Sequence, residues 1–204
     1  AEQTYYCKDI FPLYADVTTT TAILERLKGA EAGRIYAAPP SVASLMQTSL
    51  DSAQVAGCRP FERTAIILIG YQNDYFGADG KLHQVIDASA RSVLANTTRL
   101  LEAVKGTDVL LIQTPIIFTP DYSELVEPSG ILKIIKDVQA FRAGDPGSDA
   151  IPEIKAYGER ILSVPGKRGL NAFTGTCLDG LLRMEKVTDI VLCGAVTSVC
   201  IDST

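Results

Sequence analysis

Histidine is nearly absent: His83 is the only one among 204 residues. Zinc sites that need two or three imidazoles are excluded, and a Ser-His-Asp triad would have to use that single ring. Cysteine is sparse and unpatterned. Cys7, Cys58, Cys177, Cys193 and Cys200 are odd in number and form no CxxC pair. No charged start followed by an apolar run reads as a secretory leader, so a reducing, cytoplasmic setting is expected. No apolar run approaches the roughly 18 residues that a membrane span needs, so no membrane partner is expected. Charge of one sign does not accumulate either, with 19 Lys and Arg scattered among 24 Asp and Glu for a net charge of -5. A broad nucleic-acid footprint is therefore not expected. There is no internal repeat and no low-complexity tract.

What is present is globular composition, 47% hydrophobic and 21% charged, at a length that suits one core. Strand and helix patterns alternate from Arg63 onward. Thr64-Ala65-Ile66-Ile67-Leu68-Ile69 is a continuous apolar run ending at Gly70, as in a strand buried on both faces. Val85, Ile86, Val93, Leu94, Thr97, Leu100, Leu101 and Val104 then recur at helical spacing until Gly106. Asp108 to Gln113, Arg160 to Val164 and Asp189 to Cys193 read as further strands, with a helix from about Thr176 to Lys186. The alternation predicts an α/β fold with a central, mostly parallel sheet.

Two stretches break the rhythm. Thr114 to Gly158 is rich in Pro and Gly around one apolar patch, Ile131 to Ile135. Loops at the carboxyl ends of parallel strands shape sites, which makes this interval a candidate pocket wall or a surface excursion toward a partner subunit. Residues 29 to 62 read as a connector holding one helix, Val42 to Val55.

The chemistry concentrates near the carboxyl end. Cys193-Gly194-Ala195-Val196-Thr197-Ser198-Val199-Cys200 leaves a strand and enters a helix, where unpaired N–H groups favour a thiolate at Cys200. A buried cysteine is otherwise a small hydrophobe. Lys167, in Pro165-Gly166-Lys167-Arg168-Gly169, projects from the same edge of a parallel sheet, and a cation there would favour the thiolate further. That run is not a phosphate loop, because Ile161 stands where its first Gly is required.

Tyr71-Gln72-Asn73-Asp74-Tyr75-Phe76 after the first strand, a Lys followed by Asn171-Ala172-Phe173-Thr174-Gly175-Thr176-Cys177-Leu178, and Gly194 to Cys200 occur in that order. Together they resemble the isochorismatase-like cysteine hydrolases. The resemblance implies a three-layer α/β sandwich, commonly homo-oligomeric, acting on a small-molecule substrate. Its amidase members use an Asp, a Lys and a Cys from three strand ends. Cys200 and Lys167 match two of these positions, whereas Gly70 stands where the family pattern has Asp. Asp74 is the nearest candidate replacement, although its position reads first as a turn or helix cap. By resemblance, the N–H groups of Val196 and Cys200 form the oxyanion hole, with a cis peptide between Ala195 and Val196. Tyr71, Phe76, Phe118, Tyr122 and Phe173 are candidate pocket walls. No metal or other cofactor is implied.

The vinyl-ether branch of the family needs the missing Asp as proton donor, so true isochorismatase activity is not expected. The expected reaction is hydrolysis of a small amide, imide, ureido compound or activated ester through a Cys200 thioester, weakened by Gly70. A Gly70→Asp change is expected to strengthen it. The alternative is a catalytically silent member that binds or senses a small molecule.

Family members continue well past the nucleophile, ending in a closing strand and helix. Here four residues follow Cys200, and Tyr14 to Thr19 and Ala22 to Leu27 resemble that closing pair. The expectation is a single domain over residues 1–204, in circularly permuted or incomplete form. Residues 1–28 would pack as the last strand and helix beside Thr64 to Ile69, with 29–62 bridging and 63–204 as main body. An intervening strand would be missing from the sequence or supplied by another copy.

Overall fold

A computed structural model describes residues 19–31 and 63–204. Helix α1 spans Thr20–Glu31, and the Ala22 N–H donates to Thr19 Oγ1 at 3.1 Å, a capping bond for an otherwise orphaned helix-start donor. It covers the helix expected from Ala22 to Leu27. It belongs to a different unit of the chain from the one that carries the sheet. The expected strand at Tyr14 to Thr19 and helix at Val42 to Val55 lie outside the described residues, apart from Thr19.

The sheet contains β1 (Thr64–Ile69), β2 (Leu110–Thr114), β3 (Leu162–Ser163) and β4 (Asp189–Gly194). Every pairing is parallel and the order is β3-β2-β1-β4. All six β1 residues are buried, as the uninterrupted apolar run requires of a strand covered on both faces. β2 and β4 occupy both edges of β1, so no further strand can pair beside it, and the expected placement of an amino-terminal strand there is corrected.

β4 is less covered than β1: Ile190 is 44% exposed and Val191 to Gly194 are half-buried. Among the described residues β4 is an edge strand, which leaves one side of its pleat uncovered. Gly194 has φ 139°, and a Cβ there would stand 1.9 Å from the Ile69 carbonyl oxygen. Only glycine permits that close approach of β4 to β1.

Helix α3, His83–Val104, joins β1 to β2. Its inward stripe, Ile86, Ala90, Thr97, Leu100, Leu101 and Val104, is buried, whereas Val85 is 43% exposed. β3 is shorter than the sequence pattern suggests because Arg160 serves the end of α3. Its guanidinium donates to the carbonyls of Val104, Lys105, Thr107 and Val109. Val104 and Lys105 close the helix, and Thr107 and Val109 lie in the connection to β2. Helix α6, Leu178–Met184, buries Leu178 and Leu182 before β4.

The excursion between β2 and β3 is folded rather than loose. It contains α4 (Gly130–Asp137), α5 (Pro152–Lys155) and two 3-10 turns, and it buries Ile116, Phe118, Tyr122, Leu125, Ile135 and Phe141. Its attachment comes from α2, Asn73–Phe76, directly after β1. The buried Gln72 amide donates to the carbonyls of Ile116 and Ser148 at 2.8 and 2.7 Å, and accepts from the Ile116 N–H at 2.9 Å. Asn73 Nδ2 donates to the Pro146 carbonyl at 2.8 Å. Gln72→Leu leaves three backbone groups without their partner and is expected to lower stability by about 2 to 4 kcal/mol. Urea unfolding of the variant against wild type measures it.

Candidate active site

β1 is the first strand, and the chain passes outward through β2 and β3 before returning to the other side of β1 as β4. The boundary between β1 and β4 is thus the topological switch point, where parallel sheets leave a crevice beyond their carboxyl ends. Gly70 leaves β1 at this edge, and the segment Ala195 to Cys200 leaves β4. Lys167 arrives from beyond β3, where its backbone continues the parallel pairing by bridging Ile116. The Ile117 N–H donates to the Lys167 carbonyl at 3.3 Å. Gln72 therefore holds Ile116, and Ile116 and Ile117 hold the Lys167 backbone.

Lys167 and Cys200 meet. The ammonium nitrogen Nζ donates to Cys200 Sγ at 3.5 Å, with Lys167 0% and Cys200 1% exposed. Burial pulls the Lys167 pKa below its ordinary value, and the charge and hydrogen bond of Cys200 act in the opposite direction. Among the described residues no carboxylate shares this contact. Cys200 sits in a π-helical turn, Thr197–Ile201, instead of opening a regular helix, and its carbonyl accepts from Thr204 Oγ1 at 2.7 Å. The Ala195–Val196 peptide is cis, and Val196 is half-buried just ahead of the turn.

The other thiols differ. Cys193 is half-buried as a residue, yet burial pushes its thiol up to about 12. Cys177 is exposed. Cys7 and Cys58 lie outside the described residues.

Asp74 is directed elsewhere. Its carboxylate accepts the Phe141 N–H at 2.6 Å and, more weakly, the Lys81 N–H at 3.4 Å. It anchors the excursion through these bonds, the role of a turn or cap residue. Tyr71 hydrogen-bonds Thr97 of α3 and stacks on Phe76 at 4.9 Å, so both rings fill the space between sheet and helix. Phe118 packs on Tyr122 at 5.6 Å, and the Tyr122 hydroxyl donates to the Ala140 carbonyl at 2.7 Å, inside the excursion. Phe173 is half-buried against the core. The structure does not gather these five aromatics around Cys200 as one wall. A groove of about 390 Å³ is lined by Arg168, Gly169, Leu170, Asn171, Thr174 and Ser203, with neither Lys167 nor Cys200 in its lining. Among the described residues no group of three or more His, Cys, Asp and Glu could hold a metal ion.

The Isochorismatase domain model matches residues 64–204. The chain belongs to the isochorismatase family. Membership makes it a hydrolase, and the parallel sheet flanked by helices agrees with that fold. A cysteine hydrolase from Pseudomonas syringae pv. phaseolicola is 24% identical, with 76% of this chain and 70% of that one covered and a TM-score of 0.61. N-carbamoylsarcosine amidase from Thermoplasma acidophilum is 21% identical over 70% of this chain and 73% of its own, with a TM-score of 0.56. An isochorismatase-like hydrolase from Alkaliphilus metalliredigens is 27% identical over 70% and 69%, with a TM-score of 0.52. Among the described residues no helix is long and apolar enough to cross a membrane.

Within this isochorismatase-family site, Gly70 has φ 77°, and a Cβ on it would lie 2.7 Å from the Ala195 carbonyl oxygen. The side chain of a Gly70→Asp variant therefore meets backbone, in a conformation that L-residues rarely adopt. The variant is expected to lose about 2 kcal/mol or more of stability, read as a lower urea midpoint. Sequence reasoning also gave no role to Gln72 or Tyr75. Both lie in the quoted motif, but only contacts across the fold reveal what they touch.

At pH 6.5, iodoacetamide is expected to label the exposed Cys177 first and Cys200 only as its enclosure opens. Lys167→Met should slow the labelling of Cys200 by on the order of tenfold, because the ammonium that contacts the sulfur is then gone. Peptide mapping by mass spectrometry distinguishes the sites. Equal rates of Cys200 labelling in wild type and Lys167→Met would contradict the activation of Cys200 by Lys167.

Proposed function

We propose that the protein hydrolyses a small amide, imide, ureido compound or activated ester through a thioester on Cys200. The observation that supports this most is the enclosed 3.5 Å contact between Lys167 Nζ and Cys200 Sγ. An ammonium in a closed interior favours a thiolate beside it, and a thiolate is the nucleophilic form of cysteine. Sulfur attacks the carbonyl carbon, a C–S bond forms, and the carbonyl electron pair moves to oxygen. The N–H groups of Val196 and Cys200 are assigned to that oxyanion.

Collapse of the intermediate breaks the bond to the leaving group, which needs a proton. With glycine at position 70, Lys167 supplies it, and its lowered pKa makes its ammonium a better acid than a solvated lysine. Water then attacks the thioester, gives a proton to the Lys167 amine, and releases the carboxylic acid and the thiolate. Each turnover returns the pair to its starting charge.

The test uses intact-mass spectrometry of wild type incubated with a panel of amides, imides, ureido compounds and aryl esters. An acyl adduct mapped to Cys200 is expected, absent from Cys200→Ala, with at least about a hundredfold loss of turnover in that variant. No adduct and no turnover across the panel would favour a silent small-molecule binder.

A further inference from the structure

Lys167 and Cys200 face each other in a closed space with no third reactive group between them. Lys167 is 0% and Cys200 1% exposed, and the hydrogen bond that the Lys167 side chain makes among the described residues runs to the Cys200 sulfur at 3.5 Å. Among the described residues no carboxylate pairs with that ammonium, and the residue that follows β1 is Gly70. The sulfur is therefore the counter-charge on which the buried cation depends. Any reaction that removes the negative charge from sulfur strands an ammonium in a closed interior, and burial then drives off its proton. What remains is an uncharged amine, a nucleophile, in contact with the sulfur that has just reacted.

We propose that the Lys167–Cys200 pair is an oxidation site that closes on itself, forming a sulfenamide bond between Nζ and Sγ when the protein meets hydrogen peroxide. The thiolate attacks one peroxide oxygen, an S–O bond forms as the O–O bond breaks, and the departing hydroxide takes a proton from the Lys167 ammonium to become water. Sulfur is oxidised by two electrons and peroxide is reduced by two, which leaves a sulfenic acid beside a neutral amine. The amine lone pair then attacks sulfur, an S–N bond forms and the S–O bond breaks. A second water carries away the hydroxyl together with one amine hydrogen. The flexible lysine stem lets Nζ close the remaining distance. Other partners for the sulfenic acid are held back. Burial keeps the Cys193 thiol protonated, Cys177 is exposed, and the Ile201 N–H next to Cys200 already donates to the Val196 carbonyl at 3.2 Å. A thiol from solution needs a far wider opening than peroxide, which is little larger than water. The reaction requires the contact and not turnover, so it does not rest on the hydrolase reading. In a working hydrolase it would remove nucleophile and cation together until a reductant cleaves the S–N bond.

The test maps the full chain by tandem mass spectrometry after graded exposure to hydrogen peroxide and digestion without reductant. Trypsin cuts after a free Lys167 and not after one bonded to sulfur. Expected is a peptide that joins Lys167 to Cys200, lighter by two hydrogen atoms than the sum of its parts, which disappears after dithiothreitol as cleavage at Lys167 returns. Cys193→Ser should keep it. Lys167→Arg and Lys167→Met should both lose it, and should accumulate sulfinic acid at Cys200 at least about fivefold faster, because no amine intercepts the sulfenic acid. The wild-type map decides by itself, so the inference stays testable if a variant at this buried position fails to fold.

Cys200 recovered as sulfinic or sulfonic acid, with Lys167 cut normally, overturns the proposal. So does a disulfide from Cys200 to another cysteine as the main product, or a Cys200 that stays unoxidised at peroxide levels that oxidise the exposed Cys177. A wild type that hydrolyses nothing yet yields the joined peptide upholds the oxidation site and removes the hydrolase reading. Turnover that Cys200→Ala abolishes, with no joined peptide in oxidised wild type, does the reverse.

Discussion

A lysine ammonium closed off from water needs a counter-charge, and the Cys200 sulfur provides the contact that Lys167 makes. Burying an isolated charge costs many times the stability margin of a domain, so an enclosed lysine either sheds its proton or is held beside an anion. This couples the two residues in both directions: the sulfur supports the cation, and the cation favours the thiolate. Much of the surrounding architecture serves the pairing. Parallel strands bring the ends of β1 and β4 to one edge, and the pairing of β3 with β2 continues through Lys167 itself. Gln72 then fixes the Ile116 segment on which Lys167 rests.

The polar triplet after β1 divides its labour along the chain. Gln72 reaches the excursion at Ile116 and Ser148, Asn73 reaches it at Pro146, and Asp74 reaches it at Phe141. Three short side chains thereby gather a stretch of more than forty residues onto the sheet. Tyr75, next in line, receives the Phe141 ring that Asp74 positions. The tether and the tyrosine are thus consecutive residues at the start of one short helix, with Gln72 as its cap, and they hold the excursion in place.

The legible parts of the sequence were those governed by local periodicity. β1 was readable because the five adjacent apolar residues after Thr64 admit few other solutions, and α3 because its buried residues repeat every third or fourth position. Lys167 and Cys200 were readable because strand ends of a parallel sheet share an edge. What escaped depends on contacts across long stretches of chain. Asp74 looked like a spare carboxylate until its Phe141 partner, 67 residues away, was visible. Arg160 read as the start of a strand, although its guanidinium closes a helix end 53 to 56 residues earlier. Position 70 shows the same limit. The substitution of glycine was plain, but that the Ala195 carbonyl leaves no room for a Cβ, and that the Tyr75 ring lies alongside, follows only from the packing.

The enclosure of the pair has a consequence for how the protein responds to concentration. Cys200 is 1% exposed and Lys167 0% exposed, so a molecule in solution has no open path to the sulfur. Any encounter with a substrate draws on the fraction of the population in which the cover has parted. Apparent affinity is then the intrinsic affinity scaled by that fraction, and each 1.4 kcal/mol or so of opening weakens it about tenfold. Substitutions in the cover, remote from both sulfur and nitrogen, would therefore move the concentration at which the site fills while leaving the chemistry of the pair intact.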